Sequence, residues 1–161
     1  MKPLEPIDHS ALKVNQLLII ILLLIAFIFS VPVLVALVSG LMLGGSLLWK
    51  RPAFGWVYHR VLKPLGWVKP DAIPDHREPH LFAQGVGGTF LAASALTLFS
   101  GFSGVGWILS WIVIALAALN VFGGFCLGCA MYYWFNRFGI PGFTQSPPAG
   151  TLPGFRPRKE S

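Results

Sequence analysis

The chain has 161 residues, of which 55% are hydrophobic and 11% charged, with mean hydropathy +0.68 and a net charge of +6. Soluble domains carry about 25% charged residues, so this is membrane composition. Four spans of about 20 residues each would fill half the chain and leave no room for a soluble catalytic domain. Two cysteines exclude a framework of several disulfides.

Residues 1–14 form a polar tail. An almost unbroken apolar run follows from Leu17 to Trp49. It is too long for a signal-peptide core and no A-x-A cleavage site follows it, so it is read as retained. It is also too long for one ordinary helix across a bilayer. Pro32 lies at its middle, where it removes a helical hydrogen bond and restrains Val31. The run is therefore expected to split into two short helices, about 15–29 and 32–49, joined by a tight turn, the alternative being one long kinked helix. Residues 15–49 are the first transmembrane hairpin.

Residues 50–79 are the hydrophilic middle. Phe54, Val57, Tyr58, Val61, Leu62 and Leu65 recur at helical spacing, with His59, Arg60 and Lys63 opposite. That pattern fits an amphipathic helix in the headgroup layer, and the alternative is a simple linker whose aromatics dip into the interface. Residues 80–136 form the second hairpin. Its spans are expected at about 81–99 and 107–135, with an uncharged Gly/Ser turn between them. Residues 137–161 are rich in Pro and Gly and are expected to be a disordered cytoplasmic tail.

With four spans, all 12 Lys and Arg residues fall on one side of the membrane. The positive-inside rule then places both termini in the cytoplasm of a multi-pass inner-membrane protein. The fold expected is all-α: four transmembrane helices as two repeated hairpins, with an interfacial amphipathic helix between them.

The repeat is visible in the glycines. Gly124-Phe125-Cys126-Leu127-Gly128-Cys129 aligns without a gap on Gly40-Leu41-Met42-Leu43-Gly44-Gly45. Gly40, Gly44, Gly124 and Gly128 form two G-x-x-x-G pairs, a pattern that lets transmembrane helices pack closely. The polar mouths also match. Asp8-His9 precedes Asn15-Gln16 in the first half, and Asp75-His76 precedes His80 and Gln84 in the second.

Cys126 and Cys129 are expected at i and i+3 of one helix, with both thiols on one face. Such a pair can form a disulfide, exchange with another dithiol, or bind a soft metal. No cation or helix N-terminus is visible beside it in the sequence, so burial is expected to disfavour the thiolate. The bland alternative is two small residues at a helix contact. His80 and Gln84 share a face at i, i+4, and His80 would face the cysteines if the third and fourth spans pack through Gly85, Gly88 and Gly128. Cys126, Cys129 and His80, with His76 or His9 as a fourth member, would suit zinc or copper. The alternative for His80 is an interfacial hydrogen bond. Asn15, Gln16, His9, His76 and Gln84 are the candidate binding groups of the two mouths. Buried amides must bond across helices or line a hydrated cavity. No Ser-His-Asp set, phosphate loop or dinucleotide fingerprint is present, and the basic tail lacks a folded platform for nucleic acid.

Ile7-Asp8-His9 with Asn15-Gln16, His80-Leu81-Phe82-Ala83-Gln84-Gly85, and the motif from Gly124 to Cys129 together resemble the bacterial domain-of-unknown-function 4395 family. The resemblance covers nearly all of the chain except the C-terminal tail. It implies a small integral membrane protein whose relatives are encoded near thioredoxin-like or rhodanese-like proteins.

The function expected is a thiol-redox or sulfur-handling component that uses Cys126 and Cys129 with such a cytoplasmic partner. The alternatives are a small transporter or channel subunit with a polar site on the pseudo-two-fold axis, and a structural membrane partner without chemistry. No carboxylate lies between Leu81 and Trp134, which argues against proton-coupled transport. The partners implied are the lipid bilayer and a second copy of the chain, with no nucleic acid.

Overall fold

The computed structural model of the protein describes residues 4–66 and 69–157. Trp67, Val68 and the last basic residues, Arg158 and Lys159, lie outside that description. Helix α1 spans His9–Ile28 and α2 spans Pro32–Leu47, joined by a turn in which Ser30 has φ 51°. Pro32 sits at the start of α2, where its missing N–H costs no helical bond. The split at Pro32 is therefore present as expected. Helix α1 starts six residues earlier than Asn15 because Asp8 caps it, accepting the Ser10 N–H at 3.0 Å.

The middle segment is helical only over α3, Gly55–Val57, and a π-helical turn, Tyr58–Leu62. Tyr58 is fully buried against Ala11 and Val14 of α1, whereas Val61 and Leu65 are exposed. The expected apolar face is thus divided. Its first part docks on the protein, because the Tyr58 hydroxyl donates to Asp8 Oδ2 at 2.7 Å. Burial, the hydrogen bond to Asp8 and that carboxylate's charge push the Tyr58 phenol up to about 12.

Helix α4 runs Arg77–Phe99 and α5 runs Ser103–Gly123. The helix expected at 107–135 is broken. Gly124 takes φ +64° and closes α5, and a separate helix α6 spans Leu127–Arg137. Glycine adopts that left-handed conformation without a Cβ penalty, so it ends helices readily.

Helices α1, α4 and α5 are long and apolar enough to cross a membrane, and α2 is a shorter apolar helix. The four form a ring in which α1 packs on α2 and α5, and α4 packs on α2, α5 and α6. Ile19, Leu23, Val35, Val38, Leu91 and Val113 fill its interior. Serines close the helix contacts: Ser39 Oγ donates to Gly88 O at 2.8 Å, Ser46 Oγ to Leu81 O at 2.7 Å, and Ser94 Oγ to Gly106 O at 2.7 Å. Apolar side chains such as Ile21, Leu37, Leu96, Ile108 and Leu119 point outward.

Two short strands complete the fold and position the site. β1, Glu5–Asp8, pairs antiparallel with β2, Ala72–Asp75, so that Glu5 faces Asp75 and Asp8 faces Ala72. Each strand leads directly into a long helix. The ladder therefore brings the first turns of α1 and α4 together at one end of the bundle.

The glycines behave unequally. A Cβ on Gly128 would lie 2.6 Å from Ala83 Cβ and 2.7 Å from its Cα, which makes Gly128 the contact between α6 and α4. Gly44 meets only the Trp49 ring, at 3.1 Å, and Gly40 and Gly124 meet nothing within 4 Å. Gly128 is thus the one glycine of the four that meets another helix, and the helix contact expected at Gly40, Gly44 and Gly124 is corrected.

Candidate functional site

The break at Gly124 changes what the C-x-x-C motif is. Cys126 is not inside a helix but is the N-cap of α6, with φ −101° and ψ 103°. Its sulfur accepts the Cys129 N–H at 3.2 Å, and the two cysteines are joined as a disulfide with Cα atoms 5.2 Å apart. A helix N-terminus presents unpaired N–H groups and a positive dipole end, both of which favour negative charge on a capping sulfur. The missing stabiliser of a thiolate is thus supplied by the backbone. Both side chains are buried, Cys126 at 8% exposure and Cys129 at 3%.

His80, on the first turn of α4, does face the pair. Its Nδ1 lies 3.5 Å from Cys129 Sγ, and its Nε2 lies 2.9 Å from Asp75 Oδ2. Asp75 has a side chain only 4% exposed. Burial alone would raise its pKa. The His80 and His9 rings and the His76 N–H, which donates to Oδ1 at 2.8 Å, outweigh burial and hold the carboxyl well below the usual range. Asp75 is therefore a carboxylate and can only accept, so His80 carries its proton on Nε2. In neutral His80 this leaves the Nδ1 lone pair facing the sulfur.

His9 stands edge-on to His80, with ring centroids 5.8 Å apart, and its Nε2 is 3.3 Å from the same Asp75 oxygen. That contact is at ion-pair distance but outside hydrogen-bond geometry, and among the described residues His9 Nε2 is buried without a hydrogen-bond partner. A cavity of about 270 Å³ joins His9, Gln16, Asp75, His80, Asn120 and the two cysteines.

The other predicted residues have different work. Asn15 Oδ1 accepts the Phe54 N–H at 2.8 Å. Gln84 Oε1 accepts the Ala53 N–H at 3.1 Å, and its Nε2 donates to Met42 O at 2.9 Å. These two amides border the cavity but spend their hydrogen bonds on α2 and the loop after it. His76 lines a different cavity with Glu5 and Arg77, and it belongs to neither close donor set around His80. Among the described residues two donor sets lie close enough to share a cation: His80 with Cys126 and Cys129, and His9 with Asp75 and His80.

The C-terminal segment expected to be disordered instead covers the motif, as far as residue 157. Cys126 N–H donates to Gly154 O at 2.7 Å, and Arg156 N–H donates to Gly124 O at 3.1 Å. Phe155 forms a bridge with Phe125, their rings 5.0 Å apart, and the Arg156 guanidinium pairs with Asp71. Gly154 must be glycine here, since a Cβ would lie 2.7 Å from Ala130 Cβ and 2.9 Å from Cys126 O.

Asp75 as the hub and the strap over Cys126 are the features that sequence reasoning missed. Asp75 was visible only as part of a polar mouth, and its role depends on the strand pairing. A family model described as Domain of unknown function (DUF4395) matches residues 7–137, and the chain belongs to that family. No curated protein and no solved structure matches it.

Proposed function

We propose that this member of the DUF4395 family is a multi-pass membrane protein that exchanges thiols and disulfides through Cys126 and Cys129. The observation that carries the reading is the placement of Cys126 as N-cap of α6, beside a Cys129–His80–Asp75 series. Cys126 is the attacking thiolate, because the helix N-terminus and the Cys129 N–H act on its sulfur. It attacks one sulfur of a partner disulfide, and the other partner sulfur leaves as a thiolate. Cys129 then gives its proton to His80 Nδ1 and attacks Cys126 Sγ. The Cys126–Cys129 disulfide forms, and the second partner sulfur leaves, so the partner gains the two electrons that the pair loses. Run backward, the same steps reduce Cys126–Cys129.

The cavity lies at the strand end of the bundle, whereas the bundle interior is filled by aliphatic side chains. That favours a local reaction site over a transport path. The proposed setting is the bacterial inner membrane, with α2 as the fourth span, the basic segments and both termini in the cytoplasm, and a thioredoxin-like or rhodanese-like partner. Helix α2 would reach about 24 Å at 1.5 Å per residue, short for a span, with exposed Leu48 and Trp49 extending its apolar surface. Reporter fusions after Lys69 and after Ser161 should both read cytoplasmic. A periplasmic reading at either removes this topology.

Exchange is tested with reduced protein in detergent and a small aromatic disulfide whose thiolate is coloured. Wild type should release the thiolate and end as the intramolecular disulfide. Cys126→Ser should be inactive, and Cys129→Ser should stop at the mixed disulfide. His80→Gln should slow the resolving step by about 100-fold, the scale of a positioned general base. Equal release by the Cys126→Ala, Cys129→Ala double variant would refute the proposal.

A further inference from the structure

We propose that the opened dithiol, together with His80, is a binding site for a zinc-type cation, and that forming the disulfide closes it. The inference goes beyond thiol exchange but rests on that reading in one respect: Cys126 and Cys129 must be able to open. The Sγ atoms of Cys126 and Cys129 and a ring nitrogen of His80 all lie within 4.8 Å of one another. Zinc holds sulfur at about 2.3 Å and imidazole nitrogen at about 2.0–2.1 Å in a tetrahedron, which sets neighbouring S and N ligands about 3.5–3.6 Å apart. Cys129 Sγ and His80 Nδ1 are 3.5 Å apart. That edge of the tetrahedron is already at ligand spacing. The two sulfurs need only separate to about 3.8 Å on the same bond lengths.

The groups that hold the ligands fit as well. A metal-bound histidine usually donates its other N–H to a carboxylate, which fixes the ring and its tautomer. Asp75 Oδ2 holds His80 Nε2 at 2.9 Å and so turns a lone pair toward the thiols. The Cys129 N–H already donates to Cys126 Sγ and would support a metal-bound thiolate in the same way. Charge points in the same direction. Two buried thiolates near the Asp75 carboxylate would repel, and a divalent cation between them removes the conflict. The cysteines and His80 line the same cavity as His9, whose Nε2 is buried, 3.3 Å from Asp75 Oδ2 and, among the described residues, without a hydrogen-bond partner. Three protein ligands and an open fourth position are the pattern of zinc sites that admit water or substrate.

Binding is then tied to redox state. When a partner disulfide accepts two electrons from the metal-bound thiolates, the Cys126–Cys129 bond forms, the partner sulfurs leave as thiolates, and the cation loses two of its ligands.

The test uses full-length protein in detergent, either oxidised or reduced with a phosphine and desalted without oxygen. Cobalt(II) is the probe, read by its thiolate charge-transfer and tetrahedral visible bands, with zinc(II) added to displace it. The reduced protein should develop the thiolate charge-transfer band to one cobalt per chain, and the oxidised protein should show none of that band. Cys126→Ser and Cys129→Ser should each lose the charge-transfer signal, and Asp75→Asn should weaken affinity about 10–100-fold. In case a variant does not fold, zinc should also slow alkylation of the reduced wild-type thiols. An equal charge-transfer band in reduced and oxidised protein, or no protection by zinc, overturns the proposal. Cobalt binding by phosphine-reduced protein that fails the exchange assay would refute the proposed function and leave the site standing.

Discussion

Residues 39–45 and 123–129 share a glycine pattern, yet they sit in opposite structural states. In the first stretch α2 runs through without a break, and Met42 and Gly45 are buried in a packed helix. In the second, Gly124 turns left-handed, the helix stops, and Cys126 restarts it as a cap. The carboxylates at the two mouths diverge in the same way. Asp8 is consumed by structure, bonded to the Ser10 and Asp71 N–H groups and the Tyr58 hydroxyl. Asp75 is turned toward His80 and His9. The comparison teaches that the same glycine spacing can sit inside a continuous helix or at a helix break, and that the break is what places Cys126 at a helix N-terminus beside His80.

The comparison breaks most visibly at the second glycine of each stretch. Gly128→Leu must push α6 off Ala83, whereas Gly44→Leu meets only the exposed ring of Trp49. Thermal unfolding in detergent should show Gly128→Leu less stable by about 3 kcal/mol or more, at the upper end of overpacking costs. Gly44→Leu should stay near wild type, and equal losses would contradict the assigned contact.

The carboxylates come next. Asp75→Asn should slow thiol exchange about 10–100-fold, taking the range found for carboxylates that orient metal-bound histidines as the scale. Asp8→Asn should leave the rate unchanged, since asparagine also caps a helix well. A slow Asp8 variant with a normal Asp75 variant would reverse the roles assigned here.

The charge state of Asp75 sharpens the same contrast. Its folded pKa is depressed, so it stabilises the fold above the ordinary carboxyl value of 3.8, and that contribution is lost as pH falls below it toward the folded value. Unfolding midpoints should drop more steeply below about pH 4 in wild type than in Asp75→Asn. Parallel profiles would show that Asp75 is not held as a carboxylate by its neighbours.

The smallest effects separate the first glycines. Gly40 lies in an open helical position, and Gly40→Ala should stabilise by about 0.5–1 kcal/mol. Gly124 has φ +64°, and Gly124→Ala should destabilise by about 1–2 kcal/mol. Denaturation of the two variants side by side checks the signs. A stabilising Gly124→Ala would mean that α5 can continue into the cysteines.

Much of this was legible from residues alone. Pro32 marks the turn between α1 and α2, hydropathy marks the long helices, and the His80–cysteine approach follows from packing α4 against Gly128. The break was not, because Gly123-Gly124 in an apolar run reads equally as helix packing and as a helix end. The strap was hidden for a related reason. A Pro/Gly-rich tail signals disorder by composition, but Gly154 allows a close backbone approach that composition does not encode. Asp75 became central only through the pairing of two four-residue strands, too short to leave a periodic signal.

The central claim is that Cys126 and Cys129 form a redox pair at the start of α6. Its most direct test is a redox titration of the protein in intact membranes, equilibrated with oxidised and reduced dithiothreitol and then alkylated. The account predicts one two-electron transition in which both cysteines gain the alkyl mass together. Two cysteines that stay alkylatable across the whole range, or that never become so, would contradict it.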